Sequence, residues 1–368
     1  MIKDKKINSF QMFVLGSFIA NALFVGLGNI ILVISARENT WIIGIISLFL
    51  GIIPIILLNK IFDYEPNLNI FDKNKKLFNK KIGLIVNLIL VIIVLAILVM
   101  NIWSITNFAN TKYLTETPFL FIAFMLMIPA IYANIKGIES IARTSEILFY
   151  FAIIIHFTIT SSLLKFVKID NLKPILDISI NTIITCILKF LSYILVPFIT
   201  LTVIPKNNIT DKKNLKKSLI LGYILGAFFM ILVFFMTMSI LGIDLLSLYR
   251  YPEYYVIKKV SIGNAIDNVE NFLSVHWMFN LIVTIMLNLY FISEFIFNNF
   301  KVKNLTRKLI IIFIGIVTIF ISNKIFINTT IPAIFMNNSF LTYIAVPLVI
   351  ILLFMFVIIK FKEKKNKT

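Results

Sequence analysis

Few side chains in this sequence are equipped for chemistry, and most of them interrupt apolar runs. The chain's two histidines, His156 and His276, stand in separate apolar stretches, Lys189 in a third, and Glu294 near the far end of the stretch that holds His276. Neither histidine has metal-ligand partners at suitable spacing, so each reads as a buried, hydrogen-bonded side chain. The sole cysteine, Cys186, cannot form an internal disulfide and reads as small apolar filler. Lys189 is deep if its helix starts at Asn181 and interfacial if the helix enters at Leu188; the favoured reading is a snorkelling lysine. Glu294 reads as a solvated or paired group at a span end. Glu139, Arg143 and Glu146 share one helical face at the spacing of a local ion-pair cluster. No phosphate-binding loop, dinucleotide fingerprint, zinc motif or nucleophile elbow is present. Neither catalysis, a metal nor a cofactor is expected.

The chemistry that remains is recognition of a small polar ligand by backbone groups. A broken helix frees N–H and C=O groups that can hold a carboxylate or an ammonium. Gly26 and Gly28 fall about sixteen residues into the apolar run from Phe10, and Pro197 about sixteen into the run from Asn181. Glycine tolerates unusual dihedrals and proline removes a donor, so either can interrupt a helix there. The plainer reading is close packing between membrane helices. Pro54, Pro129 and Pro347 show that proline alone is no proof.

The elements that carry these residues are membrane helices. Apolar residues make up 60% of the 368-residue chain and mean hydropathy is +0.97, more than a soluble domain can keep wet. A crossing needs about 20 apolar residues. On that criterion ten spans are expected: Phe10–Ile34, Trp41–Asn59, Ile82–Thr106, Pro118–Tyr132, Glu146–Phe166, Asn181–Ile204, Ser218–Leu241, Asn271–Phe297, Leu309–Ile325 and Leu341–Lys360. The first follows a basic N-terminus that looks like the start of a signal peptide, but it is too long for one and is expected to be retained. The formal charge of +18 would suggest a nucleic-acid partner in a soluble protein. None is expected here, because the lysines gather in alternate connections, notably Lys60–Lys81, Lys206–Lys217 and Lys301–Lys308. That pattern predicts a multi-pass protein with both termini cytoplasmic. The connection from Gly242 to Glu270 then faces outward. It is the longest on that side, and long connections often serve as lids or partner sites.

That connection opens the most specific stretch of the sequence. It runs from Tyr251-Pro252 through Ser261-Ile262-Gly263 to Glu270, seven residues later, and Trp277, seven beyond that. The stretch resembles the signature of the B-subunit permeases of spore germinant receptors. Ile7-Asn8-Ser9-Phe10-Gln11 is similar to that family's Ile-Ser-x-x-Gln opening, and Glu38-Asn39-Thr40-Trp41 to its acidic-Ala-Trp run. Asn171-Leu172-Lys173-Pro174 is similar to its Asn-Leu-x-Pro, and Pro205 ends the sixth span as the family does.

The resemblance covers nearly the whole chain. It implies an all-α bundle of ten transmembrane helices, built as two inverted five-helix repeats over 1–170 and 171–368. This is the fold of the amino-acid, polyamine and organocation transporters. The resemblance also implies a subunit that senses a small germinant, usually an amino acid, in the spore inner membrane. Such a subunit works among membrane lipids with a membrane A subunit and a lipoprotein C subunit. A permease coupled to protons or sodium and a ligand-blind scaffold are the alternatives. The paired breaks and the family fold together imply a pocket between spans one, three, six and eight. Its expected lining is Ala22, Phe24, Gly26, Asn101, Ser192, Tyr193, Pro197 and Asn280. Two departures stand out. Ala22 and Phe24 fall where the family often carries Gly-x-Gly, and Ile199 and Thr200 leave span six without the family's acidic group.

A structural or coupling role is expected for Pro252, Gly263, Glu270, Trp277 and Lys189. Pro252 should start a short helix and Gly263 end it, with Tyr254, Val256, Ile257 and Val260 forming an apolar stripe against the bundle. A coupling lid or partner surface is favoured there over a plain interfacial anchor.

Overall fold

The chain enters its first helix through a capping box. Asn8 Oδ1 accepts from the Gln11 N–H at 2.7 Å, and Gln11 Oε1 accepts from the Asn8 N–H at 3.0 Å. Two otherwise orphaned helix-start donors are thereby satisfied. The Ser9 N–H donates to Asp211 at 2.6 Å, and Ile7 pairs with Ile209 in an isolated parallel bridge. The Ile7–Gln11 motif is thus a helix start fastened to a connection two hundred residues away.

The structure is a computed structural model and describes residues 6–24, 28–258, 270–300, 302–326, 328 and 330–365. Among these the regular elements are helices, with no sheet. α1 (Ser9–Asn21) stops inside the expected first span, and α2 (Asn29–Ala36) resumes beyond it. Arg37, at φ 50°, then turns the chain into α3 (Thr40–Leu50) and α4 (Ile52–Asp63). A short amphipathic α5 (Ile70–Phe78) leads to α6 (Lys80–Lys112), α7 (Phe119–Lys136) and α8 (Ile138–Leu163). α9 (Ile180–Leu195) passes into a tighter 3-10 stretch, Val196–Val203, at Pro197. The change of helix in the sixth span falls at Pro197; in the first span Gly28 keeps an ordinary helical backbone (φ −60°), and Gly26 lies outside the described residues. α10 (Leu215–Leu248) bends at Gly242, whose φ of +69° suits a residue without a Cβ. α11 (Pro252–Lys258), α12 (Glu270–Asn299), α13 (Asn304–Ile325), α14 (Thr330–Ile334) and α15 (Val346–Lys365) complete the chain.

Nine helical stretches among the described residues are long and apolar enough to cross a membrane, and α1 is a shorter apolar helix. Ile53, Ile92, Phe121, Ile154, Phe313 and Phe354 are each more than half exposed. Apolar surface on that scale is tolerable in lipid, not in water.

α1 packs closely on α10. A Cβ on Gly222 would lie 2.7 Å from the Phe13 carbonyl oxygen, and one on Gly226 would lie 2.4 Å from Ala20 Cβ. Small residues let membrane helices touch backbone to backbone.

At one end of the bundle the lysine-rich connections meet. Lys206 pairs with Asp63, Lys75 Nζ donates to Asn298 Oδ1 at 2.6 Å, and Lys362 Nζ donates to the Lys76 carbonyl at 3.0 Å. Lys73 is an exception among these basic residues, being buried. Its Nζ donates to the carbonyls of Ile61 at 2.7 Å and Phe62 at 3.3 Å, closing the C-terminus of α4. The expected Glu139–Arg143–Glu146 cluster is divided. Arg143 pairs with Glu139 at 3.8 Å, whereas Glu146 accepts from Gln11 Nε2 at 3.0 Å. Two other sequence motifs converge through the fold. Asn39 accepts from the Leu176 N–H, and Asn171 Nδ2 donates to the Ser239 carbonyl at 2.9 Å.

Candidate functional site

The break after α1 places Phe24 inside the bundle, 1% exposed. Its ring meets Phe190 and Tyr193 of α9 and Phe234 of α10, with centroids 5.2, 5.7 and 6.0 Å away. Beside it lies a cavity of about 30 Å³ lined by Asn21, Phe24, His156, Glu253, Trp277 and Asn280, among others. A second cavity of about 30 Å³ adjoins the same histidines and Glu253. Each has room for about one water molecule.

Phe24, Asn280 and Trp277 therefore meet, though they come from the first span and from α12. Asn280 Nδ2 is turned to the His276 carbonyl at 2.9 Å, and Asn21 Oδ1 is buried with no protein partner. Ala22 is buried where α1 ends. Ser192, Tyr193 and Pro197 do not line this cavity. Ser192 Oγ donates to the Lys189 carbonyl at 2.8 Å. Tyr193 donates to the Met336 carbonyl and packs on Phe340. The Pro197 carbonyl accepts from Thr200 Oγ1 at 2.8 Å. Asn101 is buried on α6, outside this lining, with neither amide atom paired. Gly26 and Gly263 lie outside the described residues, as does Val260.

Lys189 does not snorkel. It is 4% exposed, and its Nζ donates to Asn337 Oδ1 at 2.6 Å. Asn337 sits at a distorted turn, with ψ −111°, between α14 and α15. A kinked backbone there brings a polar side chain within reach of the ammonium, so the charge has no need to seek the interface. The histidine reading holds in part. Both are buried, and His276 hydrogen-bonds to the Ala152 backbone, but His156 Nε2 and His276 Nδ1 have no protein partner. Their rings lie 5.5 Å apart, and His156 stacks on Phe229 at 4.0 Å. Sequence inspection missed both this meeting and Glu253. The available signal was that the chain has just two histidines, each within an apolar run.

Helix α11 covers this region. It starts at Pro252 as expected, and Tyr254, Val256 and Ile257 are buried against the bundle. Glu253 also points inward, 5% exposed, and burial pushes its carboxyl up to about 8. Around α11 sits a cage of aromatic rings and cations. Lys112 Nζ lies 5.7, 5.3 and 4.6 Å from the ring centres of Tyr251, Tyr254 and Tyr255, and donates to the Tyr255 hydroxyl at 3.1 Å. Arg250 stacks over Trp103 at 5.0 Å, and the Asn107 amide pairs with the Tyr251 hydroxyl at 2.8 Å. Trp277 packs on Phe108 at 4.9 Å, and the carbonyl of buried Glu270 accepts from Ser274 Oγ at 3.0 Å. Near the lysine-rich end, Glu294 helps line a larger cavity of about 400 Å³ with Tyr290, Asn304, Arg307 and Lys308.

Comparison with known proteins agrees with this architecture. A family model described as "Spore germination protein" matches residues 6–330. The chain is 22% identical to spore germination protein YndE of Bacillus subtilis over 72% of its own length and 73% of that protein's. It is 23% identical to spore germination protein A2 of the same organism over 98% and 97%. Among solved structures, a substrate-bound, outward-open Na+-coupled sialic acid symporter matches with a TM-score of 0.68 at 16% identity. The match covers 92% of this chain and 79% of that one. Mhp1, a nucleobase-cation-symport-1 family transporter in a closed conformation, matches with a TM-score of 0.62 at 14% identity, over 96% and 78%. These likenesses give the fold: an all-helical membrane bundle of the transporter type.

Proposed function

The chain belongs to the spore germination protein family whose model spans residues 6–330, and from that premise we propose that it is the membrane subunit of a spore germinant receptor. It binds a small germinant, an amino acid being the class expected, and acts with a membrane A subunit and a lipoprotein C subunit in the spore inner membrane. Counting α1 and α2 as one crossing gives ten spans, arranged as inverted repeats over 1–170 and 171–368, with both termini cytoplasmic and α11 outward.

The observation that carries this reading is the break after α1. It sets Phe24 over a cavity that also holds the unpaired Asn21 oxygen and Asn280. A buried polar atom without a partner is costly, and a polar guest relieves that cost. Pockets for small molecules usually reach about 300 Å³ or more. A germinant therefore enters by displacing Phe24 or Trp277, and that displacement is the signal passed on. Phe24→Gly is expected to enlarge the pocket and change germinant preference. Truncating a buried Phe also destabilises a core by about 3–5 kcal/mol, so the response is compared at matched membrane abundance, with Phe24→Leu as the milder variant. If both variants answer the same compounds with unchanged dose dependence, Phe24 is not part of the pocket.

A further inference from the structure

His156 on α8, His276 on α12 and Glu253 on α11 converge from three elements. They are 6%, 8% and 5% exposed, and all three line both small cavities. The two imidazoles lie 5.5 Å apart, and each offers a ring nitrogen without a protein partner. The other polar groups in the two linings are neutral: Asn21 of α1, Thr160 of α8, Thr237 of α10 and Asn280 of α12. α1 carries no charged residue, and the charged residues of α8 lie in its first turns, from Glu139 to Glu146. On α10, Asp244 is exposed. On α11, Lys258 is exposed and Tyr254 packs toward Tyr113. Arg250, Tyr251 and Lys112 are engaged in the aromatic cage, and Glu270 opens α12 without entering either lining. Among the described residues no group of three His, Cys, Asp or Glu can hold a metal ion. The ligand that two imidazoles and a carboxyl can share here is a proton.

We propose that His156, His276 and Glu253 form a proton-binding centre whose occupancy controls the seating of α11 on the bundle. With its proton, Glu253 is a neutral acid and sits in the apolar contact at little cost. When the proton leaves to solvent, a carboxylate remains in the same contact with no cation facing it. The carboxylate regains water by lifting α11. A water in either cavity can pass the proton between the carboxyl and an imidazole nitrogen, one O–H bond breaking as one N–H bond forms. Burial holds the Glu253 carboxyl at about 8, above its ordinary value of 4.5. A raised carboxyl favours the seated state fully below about 4.5, and that contribution is lost as pH rises through about 8.

The test uses the full chain in lipid nanodiscs and hydrogen exchange of residues 250–258 between pH 6 and 9, corrected for intrinsic rates. No germinant is added, so the result is separate from the fate of the Phe24 pocket. Wild-type α11 is expected to lose protection about tenfold or more across that range. Glu253→Gln, neutral at every pH, should stay protected throughout. His156→Phe keeps the stack on Phe229 but removes the nitrogen, and should move the midpoint to lower pH. Unchanged protection of the wild-type protein from pH 6 to 9 overturns the proposal. So does a Glu253→Gln profile that follows the wild type. If Glu253→Gln fails to insert, the wild-type and His156→Phe profiles decide, and a His156→Phe midpoint equal to wild type rules out the shared centre.

Discussion

Lys73 shows how a charge is carried inward when its donors find acceptors. Its ammonium closes the last carbonyls of α4, and burial lowers its pKa from 10.5 to about 8. Lys73→Met leaves those carbonyls without a donor and is expected to destabilise by about 1–3 kcal/mol, measured as a fall in melting temperature in detergent. Because the folded value is depressed, the lysine's contribution is full above about 10.5 and is lost as pH falls through about 8. The gap between wild type and Lys73→Met should therefore widen from pH 8 to 10. Nothing in the sequence separates Lys73 from Lys75 or Lys76, since its acceptors are backbone atoms eleven and twelve residues away. Lys189 was misread for a similar reason. Hydropathy marks its depth ambiguously, and its partner Asn337 is 148 residues distant. The histidine pair is the extreme case: each looks like an ordinary buried imidazole until tertiary packing brings the two together.

Element boundaries were far more legible, because a long apolar run has little alternative to a helix in lipid. Pro197 marks a change of helix through local backbone chemistry, and Pro252 marks a start. Which helices touch was not legible. Gly222 and Gly226 form the seam with α1, a partner that nothing in the sequence names. Gly226→Val is expected to force α1 and α10 apart and to abolish a stable, monodisperse protein. Gly16→Ala, by contrast, adds a Cβ that meets the Phe198 ring in ordinary contact at 3.4 Å and should leave the seam intact. Size-exclusion chromatography of matched preparations distinguishes these outcomes. On α11, Lys112 holds three tyrosine rings. Each cation–π contact at such a half-buried site is worth about 0.5–2 kcal/mol. Lys112→Met should speed hydrogen exchange in residues 251–255 while leaving the remainder of α6 unchanged.

For the whole molecule, the gathering of basic connections at one end predicts sidedness. In a Cys186→Ser background, a cysteine at Lys76 or Lys213 should resist an impermeant thiol reagent in intact protoplasts and react after permeabilisation. Labelling in intact cells would reverse the orientation. The glycine seam has a mechanical consequence for the same assembly. Backbone lies close to backbone at Gly222, and Gly226 leaves room only for Ala20, so α1 and α10 should move as a single lever arm. Phe24 rides just beyond one end of that arm. Past that same end, beyond the Phe234 ring on which Phe24 packs, Gly242 forms a joint, after which the chain runs on into α11. We expect any push on Phe24 to swing the arm as a unit and to be felt at Glu253 as a change of angle, with the α1–α10 contact unaltered throughout the stroke.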